Sequence, residues 1–333
     1  MRILVIGCGS IGRRHAGNAA ALGADVCIFD VHQESAKNAA EALKLKSFDT
    51  LESAFAWQPH GVIVASPHTT HVALASQALQ AGADLLIEKP ISNDLEGVEA
   101  LIKDAKEKGR QISVVCNMRY HEAIMAVREH LDELGRLLYA QAHYGNYLPN
   151  MRPGADYRTL YSAKKASGGG VILDVIHEVD YLIWLLGGVS TVDCKADKIS
   201  GLDIDVEDYA NINLTHHSGT HTNINIDFLR PFKRRGCEIV GENGMIIWQS
   251  EGKAPEECVV KLFRNTEQKW VNLVDNDNVD ANAAYIRLIQ AFMAKIDNPN
   301  VETNLSDGSE GLEALKVALK ARETARIEGK RID

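Results

Sequence analysis

Three groups of residues have the types and spacing to do chemistry. Gly7-Cys8-Gly9-Ser10-Ile11-Gly12 fits Gly-x-Gly-x-x-Gly, and Asp30 stands 23 positions after Gly7. Glu88-Lys89-Pro90 follows directly on the apolar run Leu85-Leu86-Ile87. Asp174 and His177 lie three apart in an apolar stretch that runs to Leu186. In the first group, Gly7 allows a tight turn, Gly9 lets the backbone approach a pyrophosphate, and Gly12 packs a helix against a strand. The helix start then offers N–H groups and a positive dipole end to phosphates. Asp30 can bind the ribose hydroxyl pair of NAD and would repel the 2′-phosphate of NADP, so the cofactor expected is NAD. In the second group, Lys89 can polarise a reacting oxygen and lower the pKa of a substrate hydroxyl. The plain alternative is a snorkelling lysine paired with Glu88. In the third, a carboxylate and an imidazole on one helical face are a minimal kit for proton transfer. A histidine packed into a core is the alternative there.

The elements that must position these residues follow from the apolar pattern. RILVIG (2–7), ADVCIFD (24–30), GVIVAS (61–66), ADLLIEK (83–89) and QISVVCN (111–117) read as strands. Between them, Ser10–Leu22, Glu34–Leu43, Thr69–Ala81 and Asp94–Lys108 have helical composition. This alternation predicts a doubly wound, mostly parallel sheet covered on both faces. Ligands bind such sheets outside the carboxyl ends of the strands. Ser66-Pro67-His68, Glu88-Lys89-Pro90 and Asn117-Met118-Arg119 all fall there.

After Arg119 the pattern changes. A helix over Glu122–Leu134 leads to β-forming runs at 136–148, 192–200, 209–216, 221–228, 237–241, 245–249 and 259–263. Glu242-Asn243-Gly244 and His217-Ser218-Gly219-Thr220 read as turns between them. Strand after strand predicts an antiparallel sheet. Gly168-Gly169-Gly170 breaks the preceding loop, and one helix is expected from there to Leu186. Two helices, about Ala281–Lys295 and Ser306–Glu328, close the chain. Asn150–Lys165 carries Arg152, Tyr157, Arg158, Tyr161, Lys164 and Lys165. The four basic residues among them could hold a phosphate, a carboxylate or a sugar-nucleotide group, or form a solvated surface loop.

The bulk properties bound the partners. The chain has 333 residues, 45% apolar and 24% charged, which suits about two globular domains. A net charge of −9 without charge blocks argues against nucleic acid or an anionic membrane surface. Six scattered cysteines form no Cys-x-x-Cys pair, so no metal site is expected and a reduced, cytoplasmic setting fits. Val5-Ile6-Gly7-Cys8 looks like a lipoprotein cleavage box, but the apolar stretch before it is too short for a signal peptide.

The glycine turn at 7–12, Ser-Pro-x-x-x-His at 66–71 and Glu-Lys-Pro at 88–90 together resemble the Gfo/Idh/MocA oxidoreductase family. The likeness continues through 168–188 to 311–332 and covers most of the chain. It implies a Rossmann NAD-binding domain at 1–119. A substrate-binding and oligomerisation α+β domain would follow at 120–333, with a large open, mostly antiparallel sheet and a last helix packing back towards the first domain. By position, Lys89 matches the family's catalytic lysine, and Pro90 a proline that often follows a cis bond. Gly9, Ser10 and Ile11 match the phosphate turn, while Ser66, Pro67 and His71 match the segment beside adenosine and nicotinamide. Glu88 matches a residue near the nicotinamide ribose. His177 and Asp174 match an acid and a histidine used in proton transfer. Many relatives space these as Asp-x-x-x-His, whereas Asp-Val-Ile-His rotates the aspartate by about 100°. The expected activity is hydride transfer at a hydroxyl or keto carbon of a sugar, polyol or sugar derivative, with Asp174, Arg119, Tyr157 and Lys164 orienting the substrate. The stretch 156–170 resembles a subgroup associated with bacterial surface-glycan sugars. A homodimer or homotetramer through the sheet is implied. Two alternatives keep the same fold: an NAD-sensing regulatory protein, and an enzyme that uses tightly held NAD for transient oxidation in elimination or glycoside cleavage.

Overall fold

The computed structural model describes residues 1–252 and 256–327. The resemblance segment 311–332 and the expected helix end at Glu328 therefore run partly outside the described residues. In chain order the first elements are β1 (Arg2–Ile6), α1 (Ser10–Ala21), β2 (Asp25–Phe29), α2 (Gln33–Leu43), β3 (Lys46–Ser47), α3 (Leu51–Ala56), β4 (Gly61–Val64), α4 (His71–Gln80), β5 (Asp84–Ile87), α5 (Val98–Glu107) and β6 (Ile112–Val114). Next come α6 (Glu122–His130), β7 (Leu137–Gly145), α7 (Val171–Asp174), α8 (His177–Leu186), β8 (Val189–Asp197), β9 (Tyr209–His216) and β10 (His221–Asp227). The last are β11 (Arg234–Gly241), β12 (Gly244–Glu251), β13 (Glu256–Arg264), β14 (Lys269–Val279), α9 (Ala283–Asp297), β15 (Ser306–Asp307) and α10 (Gly308–Ile327).

The chain forms two compact units. The first holds Met1–Tyr120 and Asn282–Leu315. Its seven-stranded sheet has the order β15-β6-β5-β4-β1-β2-β3. β1 to β6 run parallel, and β15 pairs antiparallel with β6 at one edge. β4 and β5 are buried along their whole length, because helices cover both faces and the strands are runs of Val, Ile and Leu. Ile3, Val5, Ile28, Ile63 and Leu86 of the sheet share one core with Ala16 and Ala19 of α1 and with Leu288, Ile289 and Phe292 of α9. The strand order reverses at β1, which makes a crevice at the carboxyl ends of β1 and β4. β3 and α3 extend the expected alternation; α3 is only six residues and starts on Thr50, whose Oγ1 accepts the Ser53 N–H at 3.1 Å.

The second unit holds His121–Ala281 and the described residues from Lys316 onward. Its eight-stranded sheet has the order β14-β13-β12-β11-β7-β10-β9-β8. Every neighbouring pair is antiparallel except β7 and β10. This is the large, mostly antiparallel sheet that the strand-after-strand pattern predicts. Ala210, Ile212 and Leu214 are buried on β9 while their neighbours are not, the alternation of a sheet with one covered face. The expected hairpin is present: Gly241 pairs with Gly244, leaving Glu242 and Asn243 at the tip.

One local expectation is corrected. The helix expected from the glycine run to Leu186 is two, α7 and α8, with Val175 and Ile176 between them. Asp174 ends the first and His177 begins the second. Two adjacent β-branched residues weaken helix propagation at that point. Val175 leaves helical geometry at φ −103° and ψ 29°. The face-sharing argument for Asp174 and His177, which assumed one continuous helix, therefore does not apply.

Candidate functional site

The glycine turn of the first unit joins β1 to α1. Gly7 has φ +104°, and a Cβ on it would stand 2.5 Å from the Ala65 carbonyl oxygen. A Cβ on Gly12 would stand 1.8 Å from the Gly7 oxygen. Both positions demand glycine, the first for a turn and the second for close packing. At Gly9 a Cβ would meet nothing within 4 Å, so the backbone there faces open space. No described side chain caps the start of α1, and Ser10 is exposed. Asp30, just past β2, braces this turn. Its Oδ2 accepts the Cys8 N–H at 2.7 Å and its Oδ1 accepts the His32 N–H at 2.8 Å. Burial, with the Asp30 charge beside it, pushes the Cys8 thiol up to about 11, so it stays protonated near neutral pH.

These residues fit a dinucleotide. The open face at Gly9, an uncapped 12-residue helix behind it and a carboxylate at the end of the second strand are the three parts such a ligand needs. Gly9, Ser10 and Ile11 would hold the phosphates, and Asp30 the adenosine ribose.

The next strand ends are tied together. His71 is buried, with Nε2 2.9 Å from the Ser66 carbonyl oxygen and Nδ1 3.0 Å from the Pro90 carbonyl oxygen. A neutral ring donates through only one nitrogen. Burial lowers the pKa of His71, against the opposing pull of the Ser66 carbonyl and the Glu88 charge, so the neutral ring is favoured. His71 thus staples the Ser66-Pro67 loop to the Glu-Lys-Pro turn. Ser66 Oγ lies 2.8 Å from Thr70 Oγ1. The Lys89–Pro90 peptide is cis. Glu88 is buried, and its Oε2 accepts the Lys89 N–H at 3.0 Å. Its Oε1 lies 2.8 Å from Nε2 of His15 on α1. Arg119 is 1% exposed, and its Nη1 stands 3.0 Å from Glu310 Oε2.

In the second unit, the Tyr161 hydroxyl donates to Asp174 Oδ1. His177 is half-buried at the start of α8. The following residue, Glu178, is fully buried and accepts Arg235 Nε at 2.6 Å. The loop ahead of α7 is clamped from α10. Arg322 Nη2 donates to the Gly169 carbonyl and lies 2.8 Å from Glu207 Oε1. A Cβ on Gly170, which has φ +107°, would meet the Glu207 carboxylate at 2.3 Å. The Glu207 carbonyl oxygen accepts the Val171 N–H at 3.0 Å. Tyr157 is half-buried, and its hydroxyl oxygen accepts the Asp203 N–H at 3.1 Å. Lys164 is exposed, and Arg158 pairs with Asp156 at 2.7 Å.

The structure thus joins Asp30 to the glycine turn, and Ser66, His71 and Glu88 to the lysine turn. It adds His15, Tyr161, Glu207 and Arg322 to the residues that hold these groups. His15 follows Gly12 by three positions on α1, a weak signal beside an alanine-rich helix. Tyr161 belongs to the basic loop ahead of the glycine run. Nothing in the local sequence marks Arg322 or Glu207. Among the described residues, no group of three or more His, Cys, Asp or Glu could hold a metal ion. No described helix is long and apolar enough to cross a membrane.

Comparison with known proteins agrees with this geometry. Residues 1–116 match the model of an oxidoreductase family with an NAD-binding Rossmann fold, and residues 124–247 match that of the GFO/IDH/MocA C-terminal domain. A UDP-N-acetylglucosamine 3-dehydrogenase of Acidithiobacillus ferrooxidans is 32% identical over 225 residues, 67% of this chain and 66% of that protein. A glucose-6-phosphate 3-dehydrogenase of Bacillus subtilis is 29% identical over 193 residues, 56% and 53% of the two chains. The chain thus spans between about half and two thirds of the length of these curated relatives. A solved structure of the Acidithiobacillus enzyme is 26% identical, covers 98% of both chains and gives a TM-score of 0.79. A levoglucosan dehydrogenase in complex with NADH shares the fold, with a TM-score of 0.85 at 18% identity over 99% of this chain and 98% of the other. With the family's N-terminal and C-terminal domain models matched in order over 1–116 and 124–247, the chain belongs to the Gfo/Idh/MocA family of oxidoreductases.

Proposed function

We propose that this chain is an NAD-dependent oxidoreductase acting on a hydroxyl or keto carbon of a sugar, polyol or sugar derivative. The observation that carries this reading is the lysine turn. Glu88, Lys89 and Pro90 follow β5 at the carboxyl edge of the sheet whose β1 carries the dinucleotide turn. A bound nicotinamide would supply the hydride acceptor in oxidation and the donor in reduction. In oxidation, His177 takes the proton from the substrate hydroxyl, and in reduction it returns it. Lys89 places positive charge where the alkoxide develops. Asp174, with Tyr161 on one oxygen, Tyr157 and Lys164 orient the substrate.

Asp30 favours NAD over NADP, because a fixed carboxylate at the ribose position repels a 2′-phosphate. The exposed Lys164, in a loop with Arg152, Arg158 and Lys165, suits a phosphate-bearing sugar. The relative that acts on UDP-N-acetylglucosamine makes nucleotide sugars the first substrates to try. Tyr139 on β7 is 40% exposed and Trp270 on β14 is 44% exposed, which supports assembly of copies through the sheet. The six cysteines are buried, and none forms a disulfide among the described residues, which supports a reducing compartment.

The test is NADH absorbance over a panel of inositols, free sugars, sugar acids and nucleotide sugars, in both directions. Lys89→Met should lose roughly 10²–10³ in kcat, the usual cost of removing a preorganised charge stabiliser, while NADH still binds. Equal turnover in that variant would remove Lys89 from the mechanism.

A further inference from the structure

We propose that His15 is a positioning residue for the lysine turn, acting through Glu88. His15 lies on α1, the helix whose start would hold the phosphates, and is 0% exposed. Its Nε2 stands 2.8 Å from Glu88 Oε1. Glu88 is 8% exposed, and its other oxygen accepts the Lys89 N–H at 3.0 Å. One buried carboxylate therefore bridges two elements 73 residues apart in sequence. One end of the bridge is the dinucleotide helix, and the other is the backbone of the lysine.

The chemistry of the bridge is specific. A carboxylate out of water needs donors on both oxygens, and the Lys89 N–H supplies only one. Nε2–H of His15 supplies the second. Nδ1 of His15 is buried and has no hydrogen-bond partner among the described residues, which fits the tautomer with its proton on Nε2. The ring is held edge-on to Tyr285 of the same unit at 5.8 Å between centroids. Glu88 itself is fixed at its N–H by the Val64 carbonyl at 2.9 Å. Without the His15 donor, Oε1 would turn in search of another, and the grip of Oε2 on the Lys89 N–H would change with it. His15 touches neither substrate nor reacting atoms in this assignment; it sets where Lys89 starts.

The assignment rests on the catalytic reading of Lys89, so its test needs a readout independent of turnover. His15→Gln carries an amide N–H to about the place of Nε2, whereas His15→Asn falls one carbon short. His15→Asn should lower kcat roughly tenfold or more, the usual weight of a hydrogen bond to a charged group, with KM for substrate within about twofold. His15→Gln should restore most of that loss. Fluorescence titration should show NADH binding within about twofold in both variants. In parallel, the rate at which an amine-reactive reagent labels Lys89 in the full-length protein, read by peptide mass spectrometry, should shift in His15→Asn and return in His15→Gln. Equal kcat and equal Lys89 labelling in the two variants would overturn the assignment. So would a common fall in NADH affinity, rate and thermal stability without rescue by glutamine, which would make His15 a packing residue. If Lys89→Met kept full turnover while the labelling contrast held, the bridge would stand and only the catalytic reading of Lys89 would fall.

Discussion

Glu178→Gln should destabilise the second unit by several kcal/mol, although it changes one oxygen to an NH2 group. Glu178 is wholly buried, and the Arg235 side chain is 11% exposed, with 2.6 Å between Oε1 and Nε. The guanidinium also lies over the Tyr144 ring, 5.3 Å from its centroid. Burial alone would lower the pKa of Arg235; the Glu178 charge outweighs this and holds it above the ordinary value. The glutamine variant would leave that cation buried without its anion, and breaking a buried pair in this way costs about 3–5 kcal/mol. For a domain of about 150–250 residues each kcal/mol moves Tm by about 2–4 °C, so a fall of roughly 6–20 °C follows. Circular dichroism on heating, with a urea titration to check that the m-value is unchanged, measures it. The control is Glu178→Leu/Arg235→Met, which removes both charges and should recover most of the loss. If the glutamine variant unfolded within about 1 kcal/mol of the parent, or if the double variant were no better than the single one, the pair would not be the buried, mutually dependent contact described above.

Gly12→Ala should raise the Kd for NADH about 10–100-fold by fluorescence titration, the weight of one lost charge-assisted N–H bond. Its Cβ would stand 1.8 Å from the Gly7 oxygen, so the start of α1 has to move away from the turn; unchanged affinity would refute the cradle. His71 should make stability pH-dependent on the acid side. Burial depresses its folded pKa, so the unfolded chain takes up the proton first. The contribution is whole above about pH 6.5, the unfolded value, and is lost as pH falls from there through the folded value. Urea midpoints of the parent should therefore drop more steeply below that pH than those of His71→Gln, and parallel curves would count against the assignment.

Much of the architecture is legible in the sequence because burial leaves a period in it. The Ile, Leu and Val runs of β1, β4 and β5 announce strands covered on both faces, and the alternation in β9 announces a strand covered on one. The glycine turn is legible for a different reason, since Gly7 takes a positive φ that few residues adopt, and the hairpin because Asn243-Gly244 falls between two β-forming runs. The polar groups that hold the candidate site follow neither rule. His15 meets Glu88 across 73 residues, and Arg322 meets Glu207 across 115. A histidine in an alanine-rich helix and an arginine in a charged one look the same whether they face a carboxylate or water. The break at Val175-Ile176 is hidden because apolar periodicity continues through it. Two β-branched residues at one helical junction are a signal only when the geometry on either side is known.

The return of residues 282–315 to the first unit also governs the order in which that unit can be made. A ribosome releases the first 120 residues long before α9 and β15 exist. At that stage the hydrophobic patch later covered by Leu288, Ile289 and Phe292 is bare, and the outer edge of β6 lacks its partner. Bare apolar surface and an unpaired strand edge are what nascent-chain chaperones bind and what drives premature association. The second unit's main segment, residues 121–281, is complete in sequence before the first unit can close. Synthesis therefore imposes a waiting period on the dinucleotide-binding half.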